Sequence, residues 1–153
     1  MEKDLILQKE DLWQLNLLLT KIVDKARIDC AILINKSGRM VTSQSETSEY
    51  DKTSLAALIS GNFASSSSIA NLLDENEFTS MLQEGENRHI YIVQVDNNSI
   101  LACIFDKRTN AEKIKFCVEE ISSKLTKVLS KIYNNILLDP ELNIDISEKL
   151  NFS

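Results

Sequence analysis

Proline occurs once and glycine three times in the 153 residues of this chain, so long structureless connections are excluded and short turns between regular elements are expected. Histidine occurs once, at His89, which rules out a metal site built on two histidines. A structural or surface role for His89 is favoured over catalysis, because no cysteine or serine lies in a context that suggests an activated nucleophile. Cys30, Cys103 and Cys117 are odd in number, far apart and each set in an apolar run. That spacing fits neither a disulfide framework nor a metal knuckle and predicts buried thiols in a reducing compartment. None of Gly38, Gly61 and Gly85 belongs to a glycine-rich phosphate loop, and no cofactor is implied. No apolar run approaches a membrane span and no segment has the order of a signal peptide, so a cytoplasmic protein without membrane contact is expected. Net positive charge is missing too: at −6, with a pI of about 4.9, nucleic acid is a poor partner.

What the chain does have is enough apolar material, 43% of residues, to bury the core of one domain. Its charge is uneven, with −7 over residues 45–87 and +4 over 107–133, which suits a protein partner or a solvated face. Leu5, Leu12, Leu15, Leu19, Ile22, Val23 and Ala26 recur at helical spacing over 3–26, and Trp13 and Leu17–Leu19 widen that stripe, which fits a broad core contact better than its alternative, a partner surface. Residues 29–34 and 39–42 flank Asn35-Lys36-Ser37-Gly38 as a hairpin, with Gly38 supplying the left-handed turn position. Residues 43–51 read as an exposed acidic loop. Later, 77–83 reads as an edge strand, 89–95 and 99–105 as two more strands of a meander. Thr109 and Glu112 have the spacing of a capping box ahead of a helix over 110–133, with Ile114, Val118, Ile121, Leu125, Val128 and Ile132 inward. After Pro140 comes a short acidic amphipathic tail.

Residues 53–73 pose a sharper question. By composition Ser65–Ser68 is a linker; by period the segment is one helix. Leu55, Leu58, Asn62, Ser65, Ile69 and Leu72 fall on one face, beside a strip of very small side chains, Ala57, Gly61, Ala64 and Ser68. Small residues let a second backbone approach closely, and in a soluble protein that backbone is often another copy of the same helix. The order that follows is αββαβββα, an α+β fold with helices in two or three layers around a five-stranded antiparallel sheet.

This order, together with Ala31–Val41, the small-residue helix and Ile100–Phe105 ahead of a long last helix, resembles the Roadblock (dynein light chain) superfamily and its bacterial MglB-like branch. The resemblance covers about residues 5–133, which sets a domain of 1–135 and a tail of 136–153. It implies a homodimer or a heterodimer with a paralogue, the homodimer being expected here, in which the small-residue helices pack together and the following strand pairs with its copy, placing Ala57, Gly61, Ala64, Ser68, Phe78, Ser80 and Leu82 in the interface. It also implies a non-catalytic regulator of a Ras-like small GTPase, changing hydrolysis or nucleotide state by rearranging the GTPase's own switch regions, so that the chain need not provide an arginine finger. Arg27, Arg39, Arg88 and Arg108 read as surface ion-pair residues. Leu142, Ile146 and Leu150 of the tail are candidates for docking on the GTPase or for folding back on the domain. The rival function is a Roadblock-type structural adaptor in a larger assembly with no effect on nucleotide turnover.

Overall fold

The computed structural model describes residues 9–47 and 49–138. Its elements are α1 (Lys9–Ala26), β1 (Cys30–Asn35), β2 (Met40–Ser45), α2 (Lys52–Leu72), β3 (Ser80–Glu84), β4 (His89–Asp96), β5 (Ser99–Phe105) and α3 (Ala111–Leu138). The strands form one antiparallel sheet in the order β2-β1-β5-β4-β3, so β2 and β3 are its edges.

The sheet is covered on both sides, giving three layers. Strand side chains alternate between faces, and the two central strands bury both. Ala31, Leu33, Leu101, Cys103 and Phe105 join Leu15, Leu19, Ile22 of α1 and Ile114, Val118, Ile121, Leu125 of α3 in one core. Cys30, Ile32, Ile34, Ile100, Ala102 and Ile104 point the other way, onto Ala56, Ile59 and Phe63 of α2. This explains why β1 and β5 read as continuous apolar runs rather than alternating ones.

The turns obey local chemistry. Gly38 sits at φ +99, a value that L side chains rarely adopt, and closes the β1–β2 hairpin while the Asn35 carboxamide accepts from the Ser37 and Arg39 amides. Asp51 caps α2 by accepting from the Ser54 amide at 3.2 Å and the Ser54 hydroxyl at 2.8 Å. With glycine so scarce, α1 and α2 end on Arg27 and Asp74 in the left-handed region, at φ 60 and 62. In both, the following amide reaches back five residues, Ile28 to Val23 and Glu75 to Ala70, which satisfies the last carbonyls.

Several boundaries differ from the sequence expectation. β2 continues to Ser45, taking up part of the expected acidic loop, and α3 runs on to Leu138. β3 begins only at Ser80, so Phe78 precedes the strand and is half-buried. The capping box is not formed. The N-cap of α3 is Asn110, whose carboxamide oxygen accepts from the Lys113 amide at 2.9 Å, and the Thr109 hydroxyl has no partner. Asn is as good an N-cap as Asp or Ser and better than Thr, so a one-residue shift exchanges a weaker cap for a stronger one. Trp13 and Leu17 are not core residues but exposed, at 62% and 45%.

Candidate protein–protein interface

α2 runs unbroken through Ser65–Ser68, so the serine run is helix and not linker. The face it lays on the sheet is Ala56, Ile59, Ser60, Phe63, Ser66 and Ala70. That is not the Leu55–Leu72 face picked out by spacing, most of which points away: Leu58 is 71% exposed, Leu72 86%, and Ile69 also lies outward. The strip Ala57, Gly61, Ala64 and Ser68 is exposed beside it. A Cβ added at Gly61 would meet nothing within 4 Å, so nothing in the protomer requires glycine there. Ser60, by contrast, is buried and donates to the Lys36 carbonyl at 3.2 Å, tying α2 to the β1–β2 hairpin, and Ser67 donates to the Phe63 carbonyl one turn back at 3.4 Å.

β3 lies beside this helix in sequence and at the sheet's edge in space. It pairs with β4 alone, with Ser80 opposite Val93 and Leu82 opposite Tyr91. Met81 packs toward the α2 side of the sheet, whereas Ser80 and Leu82 are exposed. An edge strand leaves a row of backbone donors and acceptors open on its outer side. The structure thus gives one face of the protomer an uncovered apolar and small-residue helix, and the sheet an open strand. Of the seven residues expected at an interface, all but Phe78 are exposed.

Two of the four arginines are committed elsewhere. Asp29, only 7% exposed, accepts from the Tyr50 hydroxyl at 3.2 Å, lies 3.5 Å from Arg88 Nε and pairs with Arg108 Nη2. Arg88 also donates to Tyr50 at 2.7 Å, and Arg108 to Asp106 at 3.0 Å. Hydrogen bonds from the Arg108 amide and guanidinium hold the Asp106 carboxyl below its usual range, while burial pushes the Tyr50 hydroxyl up against the opposing Arg88 bond. The pairs made by Asp29 were invisible in the sequence because Tyr50, Arg88 and Arg108 lie far from it along the chain. Arg27 and Arg39 are exposed. His89 rests against Phe105 with ring centroids 5.1 Å apart. Among the described residues no group of three or more His, Cys, Asp or Glu side chains is placed to hold a metal. Leu142, Ile146 and Leu150 lie outside the described residues.

The helix–sheet–helix layering is that of a Roadblock domain. The Roadblock/LC7 domain model matches residues 14–105, more than half of the chain, and the protein belongs to that family. Within it the likeness is to MglB: the Myxococcus xanthus protein is 29% identical, with a TM-score of 0.76 over 82% of this chain and 95% of that one. The MglB of Thermus thermophilus has the same fold at 22% identity, TM-score 0.77, over 86% and 99% of the two chains. A Roadblock/LC7 domain from Streptomyces avermitilis shares the fold at 15% identity, TM-score 0.62, over 72% and 97%. No curated protein sequence is matched. Among the described residues no helix is long and apolar enough to cross a membrane.

Proposed function

We propose that this chain is a non-catalytic homodimeric regulator that binds a Ras-like small GTPase in the cytoplasm and changes its GTP hydrolysis or nucleotide state. The observation that carries the reading is the outer face of α2, where Ala57, Gly61, Ala64 and Ser68 form a shallow track beside exposed Leu58, Ile69 and Leu72. The track fits a second α2 crossing it, because small side chains permit close backbone approach and a two-fold contact needs only one self-complementary patch. Ser80 and Leu82 on the open edge of β3 carry the contact onto the sheet. Covering Leu58, Ile69 and Leu72 would contribute on the order of 1–2 kcal/mol each towards a dimer with the track at its centre. The likeness to MglB supports the choice of partner, and the regulator acts by rearranging the GTPase's own switch segments.

Solution mass tests the first half. The native chain is expected at twice its 17.3 kDa, and Gly61→Leu and Ala64→Arg are expected near the monomer value. An unchanged dimer in both variants removes α2 from the interface. Multiple-turnover GTP hydrolysis with and without the protein tests the second half. A rate unaffected by a protein that still binds the GTPase makes it the structural adaptor instead.

A further inference from the structure

The side of the molecule away from α2 carries its own uncovered surface. Lys9, Trp13, Leu17 and Lys21 follow one another at four-residue spacing along α1 and are all exposed, so an apolar pair lies between two lysines on one line of the helix. Lys9, Glu10, Leu12, Trp13 and Asn16 line an open hollow on that helix. The hollow faces β2, because Asn16 accepts from the Thr42 hydroxyl at 2.6 Å and Thr20 donates to Gln44 at 3.3 Å one turn further on. β2 pairs with β1 alone, and its residues Met40–Ser45 include no charge and no proline, the usual means of protecting an edge.

We propose that the chain's own C-terminal segment, residues 139–153, covers this surface by laying Leu142-Asn143-Ile144-Asp145-Ile146 along the β2 edge, under Trp13 and Leu17. Three observations select this occupant. The run alternates apolar and polar residues as an added strand requires. Residues 139–153 hold four acids and one lysine, opposite in sign to Lys9 and Lys21 that bracket the apolar pair, while Glu10 and Asp24 are the exposed acids on the same face of α1. Geometry completes the case: Lys131 of α3 pairs with Asp11 of α1 at 3.2 Å, so the seven residues from there to Leu138 carry α3 about 10 Å beyond Asp11 and past the start of α1 at Lys9. α1 and β2 run the same way, and this is therefore the Met40 end of β2. Fifteen further residues span up to about 50 Å, several times the width of the helix to be crossed.

Trp13 is the single tryptophan of the chain, so its fluorescence reports on the seat directly. The test compares the full-length protein with its Ile144→Asp/Ile146→Asp variant, using far-ultraviolet circular dichroism to show that both are folded. In the native chain Trp13 emission is expected to be blue-shifted, and acrylamide quenching roughly threefold slower than in the variant, with amide exchange over Thr42–Ser45 roughly tenfold slower. Lys9→Glu/Lys21→Glu is expected to move the same readouts in the same direction. Equal quenching and equal exchange in native and Ile144→Asp/Ile146→Asp proteins overturn the proposal. So does unmasking of Trp13 by Leu5→Asp alone, which gives the seat to the N-terminal segment. Protection restored to the variant by an excess of Trp13→Phe chains gives it to a second copy, and overturns the intrachain seat as well.

Discussion

Asp29 joins parts of the molecule that the sequence keeps apart. Its carboxylate, nearly buried at the entry to β1, takes Tyr50 from the segment before α2, Arg88 from the turn before β4 and Arg108 from the turn after β5. Removing it leaves two guanidinium groups and a phenol facing each other. Both arginines remain partly exposed, so water recovers some of the loss that breaking a fully buried pair causes. Asp29→Ala is expected to cost about 1–3 kcal/mol, read as a lower urea midpoint with an unchanged slope. The cysteines test the core at the same scale. Burial is the largest influence on Cys30, Cys103 and Cys117 and pushes all three thiols up, so less thiolate is present at a given pH than in a free cysteine. At about pH 8, where an ordinary thiol reacts readily, the folded protein should resist iodoacetamide, and all three cysteines should react once it is unfolded.

Among the elements, α2 and α3 each set up a contrast between neighbouring substitutions. Asn110 caps α3 and the Thr109 hydroxyl has no partner, so Asn110→Ala should cost about 1 kcal/mol and Thr109→Ala much less. Equal losses would restore the capping box. In α2 the space around Gly61 is open, so Gly61→Ala should stabilise the isolated protomer by up to about 1 kcal/mol through helix propensity. Gly61→Leu should instead weaken self-association, which a dilution series by sedimentation separates from protomer stability. These elements also show how far the sequence could be read. β5 appears at the residues its β-branched run predicts, and β4 begins where expected, because turn residues bound both. The helical period of α2 was legible through its serines, but its phase was not. Apolar residues occur on both its faces, and spacing alone favours the larger Leu58, Ile69 and Leu72 over the Ala56 and Ala70 that meet the sheet. The same ambiguity hid the outward position of Trp13 and Leu17. The Asp29 ion pairs were beyond reach for a different reason: no local pattern connects residues 29, 50, 88 and 108.

For the whole molecule, the three-layer fold leaves an uncovered helix face and an open strand on each of its two sides. The α2 track and the β3 edge are those the proposed dimer would use; the α1 face and the β2 edge are those the proposed seat of the C-terminal segment would use. The chain belongs to the Roadblock/LC7 family and is similar to MglB of Myxococcus xanthus, and the proposed pairing of α2 helices rests on the exposed track. The net charge of −6 favours a protein partner over nucleic acid. The measurement that bears most directly on this account is multiple-turnover GTP hydrolysis by a Ras-like small GTPase of the same cell, with the native protein and with Ala64→Arg added in turn. The native protein is expected to change the rate at least severalfold and Ala64→Arg to leave it near the unassisted value, each such decade corresponding to about 1.4 kcal/mol in the barrier. A rate that is the same with native protein, with Ala64→Arg and with neither would contradict it.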